Sequence, residues 1–204
     1  MSRCNAAFKK RILLLCYDAL EAEGFTRFRK EDVDCPIHDG FHCWVGLNTG
    51  LYSDRLDIVP NVGLHVVPIE KLCAQLERRK YNRGVATYAV NMGVIPSAAE
   101  ERAFAFGPQQ SDAFVMAECK RLARLYATSG LEYATSIASY EALLPLLREG
   151  APWLGGKPES YAVGLYLAGQ TQEACAFVKE FVKEQPVHFR DFAAAFLEYM
   201  AQMA

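Results

Sequence analysis

The chain has 204 residues, 51% of them hydrophobic and 23% charged, with 2 tryptophans, 10 tyrosines, 12 phenylalanines and a net charge of −2. That composition excludes an intrinsically disordered chain, and the near-neutral balance excludes a bulk electrostatic footprint for DNA or RNA. The length suits one domain with a sizeable core, or one domain with a helical extension.

Targeting signals are not legible. Lys9-Lys10-Arg11 precedes an apolar run of only five residues, Ile12 to Cys16, before Tyr17 and Asp18, whereas a secretory core needs about 7–15. No later run approaches the roughly 18 apolar residues of a membrane span, so the expectation is a cytoplasmic protein without membrane partners. The seven cysteines are odd in number, form no C-x-x-C pair and sit mostly in apolar helical patterns, which reads as reduced, buried small hydrophobes.

In chain order, Phe8, Ile12, Leu15, Cys16 and Ala19 recur at three- and four-residue spacing and predict an amphipathic helix over 3–23, with Gly24 as its stop. From Phe25 the rhythm alternates, predicting a strand at 25–29. The acidic residues Glu31, Asp32, Asp34 and Asp39, with Pro36 and Gly40, predict a loop. Residues 41–47, 55–59 and 63–67 then read as three short strands separated by turns at Asn48-Thr49-Gly50 and Pro60-Asn61. Strands so short and close form an antiparallel meander, because parallel neighbours need long crossovers.

Pro68 opens a helix at the position it favours, Ile69, Leu72, Cys73 and Leu76 share one face, and Arg78-Arg79-Lys80 load the C-terminal end with positive charge. Residues 85–95 and 102–106 read as two further strands. After Pro108 the pattern is helical: a helix capped by Ser111 or Asp112 and ended by Ser129-Gly130, a helix over 136–148 that Pro145 kinks or breaks, and three short helices near 159–168, 171–185 and 187–203 with Thr171 as an N-cap. The composition changes near Pro108. The expected fold is therefore α+β, a mixed half over 1–108 with an antiparallel meander sheet and a helical half over 109–204 packed on it.

Several patterns carry possible chemistry. Cys35, His38, His42 and Cys43 supply zinc-type ligands within nine residues. However, adjacent strand residues such as His42 and Cys43 point to opposite faces, so the expectation is no metal and no cofactor. Pairing Cys43 or Cys73 with His38 or His65 for nucleophilic catalysis has no supporting motif, and no G-x-S-x-G occurs. The run 150–158 is a linker: Ala151 stands where a phosphate loop needs glycine, and Pro158 where it needs a hydroxyl. Gly46 and Gly50 read as turn glycines. Tyr161, Leu165, Gly169, Ala174, Phe177 and Pro186 resemble part of a tetratricopeptide-type hairpin, but a solenoid needs about three repeats and no second copy is present.

One further cluster suggests a binding surface. Glu31, Asp32, Asp34, His38, Asp39 and Asp54 lie near the aromatic side chains Trp44 and Tyr52 in sequence. Acidic groups steer a basic protein partner and aromatics anchor it, so these eight residues form the predicted partner-binding set.

A helix ending at Gly24-Phe25, the segment Trp44-Val45-Gly46-Leu47-Asn48, the segment Leu56 to Gly63 and the helix Ile69 to Leu76 before Lys80-Tyr81 together resemble small α+β bacterial immunity proteins paired with polymorphic or type VI secreted toxins. The resemblance covers roughly the first half. It implies a non-enzymatic cytosolic protein that binds a cognate toxin domain and occludes its active site. The alternatives are a small enzyme or small-molecule binder with a pocket between sheet and helices, using His38, His65 or Asp57, and an adaptor that binds through the helical tail.

Overall fold

A computed structural model describes residues 3–98 and 103–203. The fold is α+β, as the sequence predicts, with an antiparallel six-stranded sheet and helices concentrated in the C-terminal part. The chain divides into two compact units, Met1–Leu64 with Ala89–Ser136, and His65–Tyr88 with Ile137–Ala204. The division does not follow residue 108. Residues 109–136 belong with the sheet, and the helix that follows the meander belongs with the C-terminal helices.

In the first unit, helix α1 (Ala6–Ala22) begins where the Asn5 side chain accepts the Phe8 N–H at 2.9 Å, which satisfies one of the amide groups a helix start leaves open. Its apolar stripe buries Ile12, Cys16 and Leu20, and Gly24, with φ +96°, turns the chain away. The sheet contains β1 (Thr26–Arg29), β2 (Asp32–His38), β3 (Phe41–Leu51), β4 (Leu56–Val66), β5 (Tyr88–Asn91) and β6 (Phe104–Phe106). The strand order is β1-β2-β3-β4-β5, with β6 added to β4 at residues 56–58. Arg102, which the sequence places at the start of the last strand, lies outside the described residues.

Two expectations about the sheet change. The acidic stretch is strand β2 rather than a loop, paired to β3 through Asp34 with Trp44, Cys35 with Cys43 and Pro36 with His42. Pro36 is tolerated because β1 pairs only with residues 32–34, so at Pro36 the outer edge of β2 asks for no N–H donor. Likewise 55–59 and 63–67 are one strand. β4 runs through Pro60 and Asn61 without turning, with Leu56, Ile58, Val62, Leu64 and Val66 fully buried on one face.

Helix α3 (Asp112–Leu125) starts where Ser111 accepts the Phe114 N–H at 3.2 Å, and it packs against α1. Ser129-Gly130 does not end it. A single π turn, Tyr126–Gly130, carries the helix on into α4 (Leu131–Ser136). Gly130 is a packing glycine there: a Cβ on it would lie 3.4 Å from the Tyr126 ring and 3.5 Å from Met92.

The second unit is helical. It comprises α2 (Val67–Leu76), α5 (Tyr140–Gly150), α6 (Pro158–Leu167), α7 (Thr171–Glu184) and α8 (Pro186–Met203). Each of α5 to α8 packs on the next, and α2 packs on α6 and α8. Pro68 stands in the first turn of α2 as expected, and α5 runs through Pro145 as one helix. Thr171 is the first helical residue of α7 rather than its cap, a place taken by Gln170 without a side-chain hydrogen bond. A run of aromatic contacts ties α6 to α8: Tyr161 to Phe177 at 4.7 Å between ring centroids, Phe181 to Phe189 at 5.0 Å and Phe192 to Phe196 at 5.8 Å.

The segment between α2 and β5 is held by a buried polar network. The Thr87 hydroxyl accepts the Val66 N–H and donates to the buried Glu70 carboxylate at 3.0 Å, and Lys157 donates to the Ala86 carbonyl. Arg79 and Lys157 stand 3.7 and 3.8 Å from Glu70. Each buried group therefore meets hydrogen-bonding or charge complements.

Candidate functional site

The eight residues predicted to bind a partner fall at both ends of the β2–β3 hairpin and along its strands. Asp34 is only 1% exposed, with His42 Nδ1 3.5 Å from its carboxylate, so it is a sheet residue and no steering charge. Asp32 faces Arg29 at 3.6 Å. His38 and Asp39 stand at the β2–β3 turn, the His38 ring 4.7 Å from that of Phe41. Tyr52 and Asp54 stand at the β3–β4 turn. The eleven residues of β3 separate these turns, about 33 Å at strand rise. Glu31 is exposed between β1 and β2.

What the structure does bring together is each ring with a glycine. The Trp44 ring lies over Gly46, so close that a Cβ there would be 2.3 Å from it, and Tyr52 covers Gly50 with the Arg55 guanidinium 4.7 Å from its ring centroid. Gly46 and Gly50 are thus strand glycines that leave room for an aromatic side chain, not turn glycines.

The groups suited to covalent or metal chemistry are mostly in structural positions. Cys35 opposes Cys43 across the β2–β3 ladder while His42 opposes Pro36, which sets thiols and imidazole on opposite faces. Among the described residues no three His, Cys, Asp or Glu side chains are grouped to hold a metal ion. Burial pushes the Cys43 and Cys73 thiols up, and the Cys119 hydrogen bond and burial do the same to Cys16, whose sulfur is 3.5 Å from that of Cys119. His65 is fully buried, with Nδ1 2.7 Å from the Val85 carbonyl and Nε2 2.7 Å from the Tyr81 hydroxyl. A carbonyl only accepts, so Nδ1 carries a proton. His65 braces its segment from within.

The C-terminal helices of the second unit form an open groove of about 1490 Å³. Helix α5 makes one wall and α7 the other, with α6 as the floor. Leu144, Tyr161, Leu165 and Phe177 give the groove its apolar lining. Carboxylates line both walls: Glu141 and Glu149 from α5, and Glu173 and Glu180 from α7, against the single guanidinium of Arg148. Glu141 and Glu149 are eight residues apart and Glu173 and Glu180 seven, in each case about two helical turns, so each pair lies on one helix face. Glu180 also meets Lys183 at 2.7 Å, an exposed pair that water screens. Burial pushes the Tyr140 hydroxyl up at the start of the α5 wall.

The linker 151–157 borders this groove with Trp153, which is 72% exposed, and next to it Leu154 is fully exposed. The linker turns at Gly156, where any Cβ would meet the Gly150 carbonyl oxygen at 2.1 Å, and its N–H donates to the Trp153 carbonyl. The glycine that makes 150–158 look like a phosphate loop is therefore the residue that closes this turn.

A smaller concavity of about 570 Å³ in the first unit is lined by Lys120, Arg121 and Arg124 with Thr128 and Ser129. Most of its polar groups already have partners. Arg121 bonds Glu118 at 3.0 and 2.8 Å and lies 4.0 Å over the Phe104 ring, and Arg124 faces Glu23 at 3.7 Å. The two hydroxyls donate to the Arg124 and Ser97 carbonyls.

The groove was not legible as a site in the sequence, although each wall was. Tyr140 and Leu144, or Ala176 and Glu180, are four-residue repeats with charge beside them, the pattern of any amphipathic helix. Only the hairpin packing of α5, α6 and α7 turns two such faces toward one space. No family model, no curated protein and no solved structure matches this chain.

Proposed function

We propose that the protein works by holding another polypeptide, as an immunity-type inhibitor that binds a bacterial toxin domain in the cytoplasm and covers its active site. The observation that carries this reading is the α5–α7 groove, a wide concavity with an apolar lining, charged walls and the exposed Trp153 at its border. Protein interfaces are built in this way, with apolar anchors at the centre and a polar rim. The class of partner rests on the resemblance of the first half to immunity proteins. Inhibition by occlusion asks for no catalytic group of the inhibitor itself, only for a surface that stays on the toxin longer than substrate competes.

The test is protection. Where a secreted toxin domain is encoded beside this chain's gene, cells expressing it should survive when the chain is co-expressed, and the purified toxin domain should form a stoichiometric complex with sub-micromolar affinity. Toxin killing that proceeds unchanged in cells accumulating the folded protein would rule the reading out.

A further inference from the structure

We propose that the α5–α7 groove takes a positively charged segment of its partner, with lysine or arginine side chains along the two glutamate rows and a large apolar side chain on the floor between them. This rests on the reading that the chain acts by binding a protein, and it names the chemistry of the segment held. At about 1490 Å³ the groove exceeds the roughly 300–1000 Å³ of small-molecule sites. It is open to solvent rather than enclosed, which admits a stretch of chain.

Charge selects the occupant. Four carboxylates and one guanidinium line the walls, so an acidic segment would set like charges opposite one another, while a purely apolar one would cover carboxylates without pairing them. Within each row the two backbone positions are about 10–12 Å apart along the helix axis, a spacing that basic residues two turns apart on a helix also have. The apolar requirement comes from the lining and from Trp153, 72% exposed at the border, where a bound segment would remove it from water.

The probe is a short fluorescein-labelled peptide of lysine, leucine and one tryptophan, patterned to bring the lysines to one helical face, compared with the same peptide carrying glutamate or glutamine for lysine. The lysine peptide should bind saturably, and the glutamate and glutamine forms at least tenfold more weakly. Raising the ionic strength from about 0.05 to 0.5 M should weaken it further as the charges are screened.

Glu173→Lys should weaken binding roughly fivefold, the range of one exposed ion pair, and Trp153→Ala should weaken it as well. Glu198→Lys makes the same change of charge on an exposed residue that does not line the groove, and it should leave affinity unchanged. All three sites are on the surface, so far-UV ellipticity should match the parent. Equal loss in Glu173→Lys and Glu198→Lys, equal binding of the three peptides, or groove-dependent self-association of the chain in sedimentation would each overturn the proposal. Protection from the toxin with no peptide binding would sink this inference alone. Peptide binding without protection would sink the immunity reading and leave the groove's chemistry standing.

Discussion

The Tyr126 hydroxyl lies 2.8 Å from the Gly46 carbonyl oxygen, and also 3.0 Å from that of Asn61. Tyr126 is fully buried at the first position of the π turn, and its one proton is shared between carbonyls of β3 and β4. The turn thus fastens the helical layer of the first unit to the middle of its sheet. Tyr126→Phe keeps the ring and removes the donor, leaving the buried Gly46 carbonyl and the half-buried Asn61 carbonyl short of a partner, which should cost about 1–3 kcal/mol. Urea unfolding followed by Trp44 emission in a Trp153→Phe background should show a lower midpoint with an unchanged slope. An unshifted midpoint would mean that the carbonyls lose nothing.

Trp44 and Gly46 form the second testable relationship. With 2.3 Å between the ring and a would-be Cβ, Gly46→Ala forces the indole off the strand. The crowding atoms are the outer ring of a half-buried side chain that can turn aside, so the cost should be that of a displaced rotamer, about 0.5–1.5 kcal/mol. In the same Trp153→Phe background the displaced indole should emit at longer wavelength as it gains water. Unchanged emission with unchanged stability would show that the ring has other room.

These relationships indicate which parts of the fold could be read in advance. Helices α1, α2 and α6 to α8 were legible because an apolar stripe and a glycine or proline boundary coincide at each, as at Gly24, Pro68 and Gly169. Strand β4 reads as two in the sequence, since Pro60-Asn61 is a turn pair, although the alternating burial from Leu56 to Val62 passes straight through it. Strand β2 is hidden in the sequence for a different reason. Its acidic residues suggest a loop, and what makes the stretch a strand is its pairing to β3, with Asp34 opposite Trp44 and Pro36 opposite His42. No local window contains that answer, and the same holds for the groove, whose walls lie on helices separated by α6.

Cysteine reactivity should follow burial. At pH 8 iodoacetamide should modify Cys175 and, more slowly, Cys35 in the native protein, both being half-buried. Burial and the Asp34 charge raise the Cys35 thiol and so lower its thiolate fraction. Cys16, Cys43, Cys73 and Cys119 should stay unmodified until denaturant is added. Peptide mass spectrometry after timed quenching gives the order directly. Early labelling of Cys43 would require the β2–β3 ladder to open under native conditions.

Glu159, in the first turn of α6, provides a pH test. Desolvation raises its carboxyl above the ordinary range, against the opposing effects of its backbone hydrogen bond, Lys157 and Arg79. The folded state therefore binds this proton more tightly than the unfolded chain, whose value is about 4.3. The sign follows: stability is reduced above the folded value and is recovered as pH falls toward the unfolded one. Glu159→Gln removes the charge that burial penalises, so the variant should be more stable than the parent at pH 7. That advantage should shrink on approach to pH 4, as the parent's own carboxyl becomes neutral. Urea midpoints from far-UV ellipticity at both pH values test it. A variant less stable than the parent at pH 7 would show that Lys157 and Arg79 gain more from the carboxylate than its burial costs.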